Sequence, residues 1–89
     1  MKTDTELLDN VAYKITQILR IPVGEIDKIK FVYLYGLLYN LMGQGPDGDE
    51  NMRHWLNTFN SHLNFCPAAR LADEASFDKI IRYLESFNR

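Results

Sequence analysis

Between Phe31 and Met42 only Gly36 and Asn40 interrupt a run of apolar and aromatic side chains, and no other stretch limits the folds open to this chain as strongly. The run is 12 residues long, against roughly 20 for a helix that crosses a bilayer. A helix that is apolar on most sides is covered by its neighbours. This one is therefore expected to be the spine of a small core that includes Leu37 and Leu41.

The flanking segments offer cover at helical spacing. Leu7, Leu8, Val11, Ala12, Ile15, Ile18 and Leu19 recur at i, i+3 and i+4, behind a Thr3 and Glu6 pair with the form of a capping box. Pro22 and Gly24 end this first helix near Arg20. A second helix is expected to begin between Pro22 and Glu25, with Glu25 and Asp27 near the positive end of its dipole. It is amphipathic through Ile26, Ile29 and Val32 before it enters the spine.

Gly43 to Glu50 reads GQGPDGDE, three glycines, a proline and acids, which is loop chemistry. A third helix is expected from about Asp49 to Thr58, with Met52, Trp55 and Leu56 on one side. Asn57 to Cys66 reads as irregular, and Pro67 suits the first position of a short helix carrying Leu71. Asp73 or Ser76 caps a last helix whose stripe is Phe77, Ile80, Ile81, Leu84 and Phe87. No segment alternates with period two. The expectation is an all-α, compact single-domain bundle over residues 1–89, of about five helices, one of them short. Its core holds Trp55, Leu56, Leu37, Leu41, Phe77, Ile80, Ile81 and Leu84.

Charge and composition narrow the function. Ten Lys and Arg oppose twelve Asp and Glu, for a net charge of −2. The cations are scattered from Lys2 to Arg89 and not gathered on one face as phosphate recognition requires. No nucleic-acid partner is expected for the isolated chain. Residues 1–20 contain Asp4, Glu6, Asp9 and Lys14 and lack the apolar core of a signal peptide. Cys66 is the one cysteine, so no intrachain disulfide can form and a reducing cytoplasm is the expected setting.

Reactive chemistry is sparse. Asp47, Asp49 and Asn51 alternate like calcium ligands, but the positions that should hold glycine and the closing glutamate are Met52 and Thr58. His54, His62 and Cys66 have irregular spacing and no second thiol to complete a metal site. Cys66 before a helix start has the placement of an activated thiol, against the blander reading of a packed side chain beside Pro67. No acid, base and nucleophile set can be assembled, so neither an enzyme nor a cofactor is expected. Tyr35 and Tyr39 share a helix face and Tyr33 looks elsewhere. They either line the core with hydroxyls at the rim or form a subunit contact.

One resemblance ties these features together. Ile21-Pro22-Val23-Gly24-Glu25-Ile26-Asp27, an apolar helix, then WLNTFN, Leu63, Pro67, Leu71 and a closing helix with Tyr83-Leu84 resembles the toxin-binding antitoxin domain of the Xre, MbcA and ParS type. The likeness spans about residues 18–87. Trp55 and Leu56 match the family's tryptophan-leucine, Asn60 its asparagine, Pro67 its turn proline and Leu71 the leucine that follows. Asn64-Phe65-Cys66 stands where the family has a glycine-rich turn, the Leu63 to Pro67 spacing is one residue short, and the 43–50 loop is longer than the family's. The 20 residues before Ile21 are too few for a helix-turn-helix.

The resemblance implies an all-helical antitoxin that docks on a RES-type toxin, an NAD-consuming enzyme, and blocks its active-site cleft. Asn60, Leu63, Pro67, Arg70, Leu71, Arg82 and Tyr83 are the expected partner-binding residues. The alternative is a structural homodimer in which Phe31 to Met42 packs against a second copy.

Overall fold

The computed structural model describes residues 4–22, 24 and 26–88. It contains helices α1 (Asp4–Leu19), α2 (Lys28–Leu38), α3 (Gly48–Leu56) and α4 (Glu74–Glu85). A π turn, Tyr39–Gly43, continues α2, and a 3-10 turn, Pro67–Arg70, precedes α4. Among the described residues there is no strand, only an isolated antiparallel bridge between Asn60 and Phe65. The chain is an all-α bundle, as its spacing predicts. No helix among the described residues is long and apolar enough to cross a membrane.

The spine is covered from within. α2 packs against α1 and α4, while α3 closes on α1 and on the 3-10 turn. Phe31, Leu34 and Leu38 are fully buried among Ala12, Ile15 and Leu19 of α1, Met52 and Leu56 of α3, and Phe77, Ile80 and Leu84 of α4. Leu37 is buried too, and Ile81 packs half-buried against this core. Ile29, expected on the inner face of α2, points to solvent.

Helix ends show where local chemistry was read correctly and where it was not. The Thr3 cap lies outside the described residues. α1 stops where Arg20 turns into the left-handed region at φ 57°, and Arg53 of α3 donates Nη1 to the Ile18 carbonyl at 2.7 Å. A cation there meets the negative end of the α1 dipole. α2 starts later than expected, because Asp27 is its N-cap and not part of its first turn. The Asp27 carboxylate accepts from the amides of Ile29 at 2.9 Å and Lys30 at 3.2 Å, satisfying donors that have no helical partner. α3 ends at Leu56, two residues before the expected Thr58. The Thr58 hydroxyl instead donates back to the His54 carbonyl at 2.6 Å.

Leu41 is the clearest correction to the expected core, since it is 36% exposed. In an uninterrupted α-helix it would follow Leu34 and Leu38 inward. The i→i+5 bonding of a π turn spreads one turn over an additional residue, so Met42 takes the inward position and packs on the core. After the π turn the backbone closes tightly. A Cβ on Gly48 would lie 1.8 Å from the Gly43 carbonyl oxygen, and one on Gly43 would lie 2.8 Å from the Met52 sulfur. The backbone approach requires glycine at position 48, whereas at position 43 the Met52 and Tyr39 side chains would have to shift, and Gly45 between them sits at φ 91°.

Candidate functional site

The segment between α3 and the 3-10 turn is built around Asn60. Its side-chain oxygen accepts from the amides of His62 at 2.9 Å and Leu63 at 3.1 Å. Its own amide donates to the Phe65 carbonyl at 3.1 Å, and its carbonyl accepts from the Asn64 amide at 2.7 Å. Asn64 holds φ 67°, a conformation that asparagine tolerates better than other side chains carrying a Cβ. Cys66 donates its thiol to the Leu56 carbonyl at 3.3 Å, which ties the end of the turn to α3.

This arrangement reverses the direction of three expected contact residues. Leu63, Pro67 and Leu71 are buried; they anchor the turn to the core and offer no surface to a partner. The physical reason is the Asn60 turn itself, which points Leu63 inward, while Pro67 at the first position of the 3-10 turn brings Leu71 against Phe77. Asn60 is half-buried, with its polar groups engaged in the turn. Of the expected set, Arg70, Arg82 and Tyr83 retain accessible surface.

Around Tyr83 the molecule presents aromatic side chains. Its ring stacks on Trp55 at 6.4 Å and 14° and on His62 at 5.7 Å and 27°, and meets Phe87 edge-on at 5.1 Å and 81°. Trp55, expected inside the core, is half-buried: it packs on the core and also lines a shallow groove with Met42, His54, Thr58 and Phe59. Phe59 is 62% exposed and Phe87 58%. Phe87 leaves the apolar stripe because α4 ends at Glu85, where the Ser86 hydroxyl donates to the Tyr83 carbonyl at 2.6 Å. The result is an aromatic ridge centred on Tyr83, which Trp55, His62 and Phe87 each contact.

The charged side chains of α4 are sorted. Lys30 of α2 pairs with Asp78 at 3.1 Å and Glu74 at 3.7 Å, and the Tyr33 hydroxyl donates to Glu85 at 2.6 Å. The hydrogen bond to Asp78 raises the Lys30 pKa above its ordinary value, and the bond to Glu85 likewise raises that of Tyr33. Lys79 and Arg82 occupy another part of the helix. Asp73 caps α4, accepting from the Ser76 hydroxyl and the Ser76 amide, and these bonds hold its carboxyl below the usual range.

His62 is part of the ridge, Cys66 is bonded to backbone, and Asp49 lies in the first turn of α3. No three His, Cys, Asp or Glu side chains among the described residues are grouped to hold a metal ion. Tyr35 and Tyr39 share a face as read, with rings 6.1 Å apart.

Sequence reasoning missed His62, Phe65, Lys79, Phe59 and Phe87 as surface features. A usable signal was present for two of them. Lys79 lies off the stripe Phe77, Ile80, Leu84, and Phe87 stands four residues after Tyr83, the spacing of neighbours on a helix. No protein-family model matches the chain, and comparison with curated proteins and with solved structures gives no significant match.

Proposed function

We propose that this chain is a non-enzymatic protein-binding domain of the antitoxin type, which neutralises a RES-type, NAD-consuming toxin in the bacterial cytoplasm by covering its active-site cleft. The observation that carries the binding part is the ridge of Trp55, His62, Tyr83 and Phe87. Stacked rings with accessible edges, beside an exposed Phe59, offer large contact area at little loss of side-chain freedom, and aromatic residues are enriched at interfaces.

The antitoxin part is supported by the order Trp55-Leu56, Asn60, Pro67, Leu71 and by the conformation of Asn64. At φ 67°, Asn64 does the backbone work for which the family uses glycine. Leu63, Pro67 and Leu71 then act from inside, fixing the turn that presents the ridge. The homodimer through Phe31 to Met42 is the alternative: Phe31, Leu34 and Leu38 are fully covered within one chain, so a second copy would have to dock on the exposed Tyr33, Tyr39 and Leu41.

Co-expression with a RES-type enzyme tests the proposal. The expected result is a co-purifying complex and rescue of growth from the enzyme's toxicity. Absence of both association and rescue removes the antitoxin reading.

A further inference from the structure

Charge on α4 and on the 3-10 turn before it is divided between a flank that is neutralised and one that is not. Glu74, Asp78 and Glu85 face α2 and are engaged by Lys30 and Tyr33. Arg70, Lys79 and Arg82 have no carboxylate within ion-pair distance among the described residues. Asp73 is the acid whose charge reaches Arg70, but its carboxylate is committed to capping α4 through Ser76.

Two of these cations converge on one ring. The Arg70 guanidinium lies 5.6 Å and the Lys79 ammonium 5.7 Å from the centroid of Phe65. Lys79 also donates to the Leu63 carbonyl at 3.2 Å, so its head is held in place. With Asn64 and Ser76 they border an open groove of about 340 Å³. Its apolar lining is Phe65 with Leu63 and Ala75, and its charged rim is cationic.

We propose that this groove receives a glutamate side chain from an acidic segment of a partner protein, with the methylene stem on Phe65 and the carboxylate at Arg70 and Lys79. The inference rests on the protein-binding reading and adds the chemistry of the partner. A nucleic-acid backbone fits less well, because it presents phosphates in series and needs a row of cations. Here two cations are fixed at one ring, Arg82 lies one turn beyond Lys79 and Asp73 stands beside them. A single carboxylate with an apolar stem matches both the number of charges and the open part of the half-buried Phe65 ring.

The test is a titration of the ¹⁵N-labelled chain, followed by NMR, with an acetylated and amidated hexapeptide of alternating leucine and glutamate. The peptide with glutamine in place of glutamate, inorganic phosphate and a short oligothymidine serve as separate arms. The glutamate peptide should shift the amides of Phe65, Arg70 and Lys79, with affinity that falls as salt is added. Arg70→Gln and Lys79→Gln should each weaken binding about two- to fivefold. Lys79→Arg, which keeps the charge, should retain binding.

Equal binding of the glutamine peptide, shifts confined to other residues, or no shifts at all would overturn the proposal. So would tighter binding of phosphate or oligothymidine at the same amides. Association with a RES-type enzyme is read separately by co-purification, so the proposal can fail while association through the ridge still stands.

Discussion

The two flanks of α4 carry similar numbers of ionisable side chains, yet they differ in what becomes of them. Glu74, Asp78 and Glu85 meet Lys30 and Tyr33 and serve to hold α4 on α2. Arg70 of the 3-10 turn, with Lys79 and Arg82 of α4, faces outward beside Tyr83 and Phe65, and among the described residues none of the three has a carboxylate within ion-pair distance. A count of charges would not separate the two, whereas the pairing does. Exposed ion pairs contribute little to stability, so the neutralised flank chiefly sets how α4 lies, and the open one keeps its charge accessible.

Both flanks stand on Ile80, which is fully buried beneath them. Ile80→Ala should cost about 2 to 5 kcal/mol, measured by urea unfolding, and should remove both sets of contacts together. If the Lys30 contacts survive in a variant that has lost the Tyr83 stack, the flanks are separate units and the comparison fails. A smaller effect is expected from Tyr83→Ala, which should weaken partner binding by about tenfold or more. Its cost to the fold should be on the order of 1 kcal/mol. Tyr33→Phe, on the neutralised flank, should leave binding to a RES-type enzyme unchanged by calorimetry.

The flanks should also respond at opposite ends of the pH scale. The Lys30 and Tyr33 pKa values are raised by their bonds to Asp78 and Glu85. Their contribution is complete below the unfolded values of about 10.4 and 10 and is lost as pH rises through the folded ones. Urea unfolding between pH 8 and 11 should show this loss, and the Lys30→Gln, Tyr33→Phe double variant should flatten it. Asp73 has the reverse sign. Its lowered pKa adds stability above the unfolded value of about 3.9 that disappears as pH falls through the folded one. The effect is the smallest of the set, and Asp73→Asn should reduce the acid-side slope.

Most of the architecture was legible because it rests on apolar period. Ala12, Ile15 and Leu19, then Phe31, Leu34 and Leu38, then Phe77, Ile80 and Leu84, are buried at the spacing that a helix imposes. Leu41 was not legible, since the period assumes an unbroken α-helix and the π turn shifts it by one position. The site was legible in residue type but not in direction. Leu63, Pro67 and Leu71 have the hydrophobicity of contact anchors, and only the hydrogen bonds of Asn60 decide that they face inward. Phe65 with Arg70 and Lys79 is a contact across the chain, which no local pattern encodes.

The close backbone approach of Gly43 and Gly48 has a consequence for how the molecule can be altered. Gln44, Gly45, Pro46 and Asp47 hang outside a neck that is already shut, all four exposed to solvent. An insertion directly after Gln44, for instance an epitope or a fluorophore-bearing peptide, would leave intact the bonds that start α3, from Gly48 to the Gly45 carbonyl and from Asn51 to the Asp47 carbonyl. Widening the neck by a single methyl group would pry the two halves of the chain apart.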